Sequence, residues 1–448
     1  MKGRRLSFAI YSLILVVVLV VSAIYRVGFY KSYANEKESL PLELRDKTIV
    51  RLWMKKNIIS PTRSYQIEKF NKENKDNIHI IFTEYKEDYY NAIRTTLASG
   101  HGPDIFEYGF TTLMKNNQIA SLDEIGFDKS KVNESNIVTY KHMPIGVKLM
   151  ETNVKFVWNK EMFKKAGLDP EKPPRTWNDV IQYSLQIKKK FPNSIPFAFP
   201  IKEYEDLKVA IGEPSANEGN IYTTFWDYKS GKYDFNYAKN ILNTYTQMYK
   251  LNLIDKNFDK KSRNQLRSEF YRQDIAMMLS TYEDKGYFSN IVPLSFDMGV
   301  KDVIQTNNKK DNVYYYVQDM NFLVVNKDSI QDKKKVDAIN KVYEYLLSEG
   351  INKEVLQTRN ALPVNLKETK CKNDIYTEYN NVSKFRNETY DPTIFLSRNS
   401  SYEIGAVIDS IKGKITVNSS IDKLNKQYDK YYNFAKTKEN FDFSYYKQ

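Results

Sequence analysis

Cysteine is almost absent from this 448-residue sequence. Cys371 stands alone, which excludes an internal disulfide framework and a Cys-rich zinc site. Histidine is nearly as scarce: His79, His101 and His142 are too few and too scattered for a multi-histidine metal site or an evident triad. No G-x-S-x-G elbow, P-loop or HExxH stretch occurs. Neighbouring acids such as Asp123–Glu124 and Glu283–Asp284 have the composition of a glycosidase pair, but 55 acidic residues produce such neighbours by chance. They read as surface charge. Nothing in the chain argues for a metal, a cofactor or bond-making chemistry.

What is present is length, apolar residues and aromatic rings. A chain of 448 residues exceeds one small core and suits two lobes, and 41% hydrophobic with 14% aromatic content can fill them. The net charge is +13, with five of those charges (Lys2, Arg4, Arg5, Arg26 and Lys31) in an acid-free stretch, residues 1–31, leaving +8 on the remainder. The lysine runs 188–190 and 333–335 lack glycine-aromatic interleaving and read as solvated helix ends, not as a nucleic-acid surface. An anionic wall, lipid surface or acidic glycan stays compatible with the basic balance.

Leu6 to Tyr25 is an uncharged 20-residue run behind a basic flank, long enough to cross a bilayer as a helix. The positive N-terminal side places the rest of the chain outside the cell. Two readings stand: an uncleaved anchor at the outer face of the membrane, or a secreted product cleaved near Ala23. The length of the run favours the anchor. Residues 1–34 are then signal anchor and linker.

Beyond them the pattern is strand (48–54), helix from Pro61, strand (78–85), helix capped by Asp88 with Tyr89, Ile93 and Leu97 on one face, and strand (104–108). Strand and helix in alternation with short links is the pattern of a parallel sheet with covering helices. Lys155 to Trp158 forms a further strand, Glu161 to Ala166 a short helix closed by Gly167, and Thr176 with Asp179 a capping box. Residues 177–290 read as mainly helical with loops, Phe322–Asn326 as a returning strand, and 336–347 as an amphipathic helix.

The stretch VWNKEMFKKAGLDPEKPPRTWNDV (157–180) resembles the signature of extracellular solute-binding proteins, the sugar-binding receptors of ABC importers, of which maltose-binding protein is one. LASGHGPDIFEY (97–108), FYRQDIAMM (270–278), NALPV (360–364) and the final IDSIKGKITVNSSIDKL (408–424) are similar to other segments of that family. Asp274 stands where a glycine is usual. The resemblance implies an α/β, two-lobe periplasmic-binding-protein-like fold of type II with crossing hinge strands, following the membrane helix or signal. Lobe I is expected from 47–147 plus 322–367, and lobe II from 148–321 plus 368–448. It further implies a monomer that binds a carbohydrate between the lobes, without cofactor or catalysis, and passes it to the permease subunits of an importer. A membrane-anchored sugar sensor is the alternative, and a secreted glycan-processing enzyme a more distant one.

Sugars present apolar C–H faces rimmed by hydroxyls, so aromatic platforms and planar polar groups are the residues to seek. Trp53 ends the first strand with Lys55 beginning the loop after it, and Tyr108 ends the third, where an open α/β sheet offers its crevice. Tyr282 stands where the resemblance places an aromatic, Tyr402 precedes the C-terminal helix pair as a candidate for the second lobe's wall, and Glu151 lies in the first crossing strand. Packing is the competing role for Trp53, and a solvent-facing position for Glu151. Asp104 reads as a local turn-former, Trp158 and Trp177 as packing residues, and Phe225–Trp226 stays open between core and binding loop.

Overall fold

Residues of period two build the first sheet. In the computed structural model, Thr48–Lys55 (β1) buries Val50, Leu52 and Met54 on one face, and Ile78–Tyr85 (β2) pairs with it in parallel, Thr48 opposite Ile78. The helix Ser60–Glu73 connects them and packs Ile67 and Phe70 onto the sheet. The structure describes residues 11–25, 40–108, 112–307, 311–318, 322–364, 366, 374–381, 385–388 and 391–448.

The helix Tyr89–Ala98 buries Tyr89, Ile93 and Leu97 and leads to β3 (Ile105–Tyr108). Asp88 precedes that helix at φ 59° and makes no side-chain cap; its carboxylate accepts from Asn91 Nδ2 at 2.8 Å instead. After β3 come β4 (Ile137–Tyr140), β5 (Met143–Lys148), β6 (Met150–Thr152) and β7 (Val154–Asn159). Asn159 accepts from the Met162 N–H and starts the helix Lys160–Lys165. The Thr176–Asp179 capping box is made on both sides, at 3.0 Å each.

The stretch 177–290 holds more sheet than its sequence indicates. It contains β8 (Ile195–Ala198), a hairpin of β9 (Trp226–Asp227) and β10 (Lys232–Tyr233), and β11 (Ile275–Thr281), all seven residues of which are buried. A continuous apolar run buried on both faces lacks the alternation that marks a strand. The turn into β11 places its left-handed residue at Gln273 (φ 64°), one before Asp274. There follow β12 (Met298–Asp302), β13 (Tyr314–Gln318), β14 (Phe322–Val325), β15 (Leu362–Pro363) and β16 (Phe385–Asn387).

These strands form three main sheets: β2-β1-β3-β14-β5-β4, β12-β7-β11-β8, and β15-β6-β13-β16. The third joins the other two, because β6 links β5 to β7 and β13 precedes β14. In the second sheet Gly299 lies against the Trp158 indole so closely that a Cβ would come within 2.0 Å of the ring. Trp158 and Trp177 are buried packing residues with their indole N–H groups on Pro170 and Ile304 carbonyls. Phe225 and Trp226 are core as well. Two helices, Ser400–Ile411 and Val417–Lys438, pack together near the end of the chain.

Three expectations need correction. Asp104 does not serve its own turn: its carboxylate accepts from the Arg51 N–H at 2.7 Å and from Lys335 Nζ at 2.6 Å, tying β1 to the helix Lys333–Leu347. Lys335 is therefore not a solvated helix end. Asp284 is not surface charge either; it is buried and paired with Arg267. Residues 11–25 are helical with their large apolar side chains exposed, and 6–10 and Cys371 lie outside the described residues. Among the described residues no helix is long and apolar enough to cross a membrane.

Candidate functional site

A cavity of about 500 Å³ opens where the carboxyl end of β5 meets segments from the other side of the third sheet. On the first-sheet side lie Thr139, Pro144, Lys148 and Phe322. Their placement follows from register, since β5 and β3 flank β14 and Phe322 stands opposite both Lys148 and Tyr108. Facing them are Lys208, Glu388, Asp391, Phe395 and Tyr446. The Tyr446 hydroxyl donates to the Thr139 carbonyl at 3.2 Å, and the Tyr140 ring packs 5.6 Å from Phe395, so the chain's end is fastened to β4.

On the far wall one lysine sits among several acids. Lys208 Nζ is 3.8 Å from Glu388 and 4.0 Å from Glu205. Burial pulls the Lys208 ammonium down, but Glu388, Glu205 and Asp391 outweigh it and raise its pKa. Burial raises the Glu388 carboxyl against the opposing pull of Lys208. Glu388 also accepts from the Thr223 N–H at 2.5 Å and from its hydroxyl. Asp391 accepts from the Thr393 N–H at 2.9 Å, capping the turn Pro392–Phe395.

Lys148 differs. The residue is only 8% exposed, and its ammonium has no hydrogen-bond or ion-pair partner among the described residues. Burial pushes its ammonium down to about 8, opposed by the field of Glu151. Burial likewise pushes the Glu151 carboxyl up to about 7, with Lys148 opposing. Glu151 lies in β6, opposite Leu362 and Gln318 in the sheet that joins the other two.

The remaining residues singled out in the sequence fall in several places, and none of the six lines this cavity. Trp53 is half-buried with its ring 4.8 Å from Tyr85, and the exposed Lys55 holds Nζ 5.5 Å over Tyr90. Together they make an aromatic ledge at the carboxyl ends of β1 and β2. Tyr108 is 2% exposed, edge-on to Phe106 and Phe322, and its hydroxyl accepts from the Leu113 N–H at 3.3 Å. Tyr282 is buried beside Tyr379 in the core around β11. Tyr402 is exposed on the first turn of the helix Ser400–Ile411.

Lys148, Lys208, Glu388 and Asp391 escaped the sequence reading. Lys148 had a faint local signal, a lysine closing the apolar run of β5 next to the crossing. Glu388 had none, because its partner Thr223 is 165 residues away. Among the described residues no group of His, Cys, Asp and Glu is arranged to hold a metal. The site is built to enclose and hydrogen-bond.

Comparisons with known proteins agree with this architecture. The sn-glycerol-3-phosphate-binding periplasmic protein of Shigella flexneri is 33% identical over 138 residues, 27% of this chain and 31% of that protein. The chain thus matches about a third of the length of such curated relatives. An ABC transporter solute-binding protein from Thermotoga lettingae, solved with α-D-tagatose, superposes with a TM-score of 0.67 at 18% identity over 86% of this chain and 99% of its own. A cyclic α-maltosyl-1,6-maltose-binding protein from Arthrobacter globiformis gives 0.64 at 13% identity over 86% and 98%. At such identities the likeness is one of fold, the two-lobe α/β fold. Residues 56–353, well over half of the chain, match the bacterial extracellular solute-binding proteins, and the chain belongs to that family.

Proposed function

We propose that this protein is an extracytoplasmic receptor that encloses a carbohydrate, in the first instance an oligosaccharide, and delivers it to the permease subunits of an ABC importer. The observation that carries this reading is the cavity of about 500 Å³ between the first sheet and the wall that faces it, polar and aromatic at once. A ligand touching both walls binds the closed arrangement better than an open one and shifts the population toward it. Lobe I is then 47–147 with 322–367, lobe II 148–321 with 368–448, and β6 and β13 lie at crossings between them. Of the residues singled out in the sequence, the Trp53–Lys55 ledge and the exposed Tyr402 are the further contacts this reading offers, whereas Tyr108 and Tyr282 are enclosed by neighbouring side chains.

The chain works as a monomer and breaks no bond. The exposed apolar side chains of helix 11–25, within the 6–25 run, support an anchor at the outer face of the membrane. The test is calorimetric titration of the full chain in mild detergent with neutral and acidic mono- and oligosaccharides, followed by recovery of the ligand. Binding with the glycan recovered intact is the expected result. Turnover of the glycan, or no binding across the panel, overturns the reading.

A further inference from the structure

Four lysines of this protein are nearly or fully buried, and three of them have a carboxylate within ion-pair distance. Lys155 Nζ is 2.7 Å from Asp302, Lys285 Nζ 2.7 Å from Asp374, and Lys208 Nζ 3.8 Å from Glu388. Lys148 alone among these four has no such partner among the described residues, and it alone stands on the first-sheet side of the cavity. A mostly buried lysine whose ammonium faces a cavity and has no protein counter-ion is poorly compensated, and a ligand entering that cavity is placed to complete it. Across the cavity Glu388 is paired with Lys208 and held by Thr223, and Asp391 accepts from the Thr393 N–H; neither carboxylate is within ion-pair distance of Lys148.

We propose that the ligand of this cavity carries an acidic group, carboxylate or phosphate, on a hydroxylated scaffold, and that Lys148 is the residue that receives it. This rests on the receptor reading above and adds the charge of the ligand to it. An ammonium offers three donors and a full charge, and a charge-assisted hydrogen bond is about twice as strong as a neutral one. A neutral sugar supplies acceptors but leaves the charge uncompensated. The hydroxyls of the same ligand meet the paired polar groups of the far wall, and its apolar face meets Phe395 or Tyr446.

Binding of an anion is then linked to protons. The groups that act on Lys148 are Glu151, Lys208, Asp391 and Glu388, with Glu151 the strongest of them. With its pKa at about 8, Lys148 is half-charged at pH 8 in the free protein, and an anion that restores the charge takes up about half a proton per ligand. Near pH 6 the lysine is already charged and contributes no uptake. Glu151, pushed up to about 7, adds uptake around neutrality, and Glu151→Gln removes that part.

The experiment titrates the full chain with matched pairs: digalacturonate against galactobiose, and glycerol 3-phosphate against glycerol. One acidic member is expected to bind at least about tenfold more tightly than its neutral partner, and which arm binds separates carboxylate from phosphate. Lys148→Met is expected to lose about 10- to 100-fold in affinity for the acidic ligand while melting no lower than the parent without ligand. Titration of the parent in buffers of different ionisation heat reads the proton uptake at pH 8. Tighter binding of the neutral partner, or acid binding unchanged in Lys148→Met, overturns the inference and leaves the receptor reading in place. Absence of binding by any sugar, acidic or neutral, overturns the receptor reading and the inference with it.

Discussion

The buried charges around β11 and the buried charge at the end of β5 obey opposite rules. Lys285 is fully enclosed yet touches Asp374 at 2.7 Å and Asn380 at 2.6 Å, and nearby Arg267 pairs with Asp284, itself held by Ser280 and the Thr281 N–H. Asp284 is depressed as a result: burial alone raises it, but Arg267 and these hydrogen bonds outweigh burial. Lys148 is largely buried but faces the cavity, and its ammonium has no such partner among the described residues. The first arrangement holds the fold together, since each charge is compensated from within. The second leaves a debt at a cavity wall, where a ligand can settle it.

That contrast can be broken from the paired side first. Lys285→Ala leaves Asp374 buried without its cation and is expected to cost about 3–5 kcal/mol. Urea unfolding measures it; a loss below about 1 kcal/mol makes the two regions alike.

The unpaired side predicts a pH signature. The Lys148 pKa is lowered to about 8 in the folded protein, against 10.5 for an ordinary lysine. Between those values the unfolded chain holds the proton and the folded one has released it, so stability rises with pH across pH 8 to 10.5. The gain is on the order of 3 kcal/mol. Lys148→Met is expected to abolish that rise and to be more stable than the parent below pH 8. Denaturation of both proteins at pH 7, 8, 9 and 10 gives the difference curve, and a flat difference sinks the assignment.

Two smaller changes sharpen the edges of the comparison. Tyr446→Phe removes the hydrogen bond to the Thr139 carbonyl but keeps the ring among Phe395 and Phe441, so about 1 kcal/mol is expected in unfolding experiments. Lys55→Ala, an exposed cation over Tyr90, is expected to shift stability by no more than about 0.5 kcal/mol. If Lys55 contacts ligand, its effect appears in affinity alone.

Much of the fold was legible because its signals are local. The helix Ser60–Glu73, β2 over Ile78–Tyr85, and the capping box of Thr176 and Asp179 depend on residues two to four apart, which a sequence displays directly. β11 was hidden because burial on both faces erases alternation, and the Asp88 cap failed because that residue sits at positive φ. Of the aromatic candidates, Tyr108 stands at a strand end as its sequence position indicated and Tyr282 directly follows β11, yet both rings are buried by neighbours from distant segments. A strand end names the edge of a sheet. It does not say whether the ring there points to solvent or to a neighbouring strand.

By itself the sequence determined the alternation of strands and helices, their caps and turns, and the family signature at 157–180, because hydrophobic period and capping act over a single turn or strand. The tertiary structure decided which charges have partners. Thr223 reaches Glu388 across 165 residues, Lys285 meets Asp374 across 89, and Lys148 has no counterpart within reach among the described residues. Electrostatic compensation is a matter of ångströms in space, and a lysine at the end of a strand reads the same in sequence whether an acid has folded against it or not.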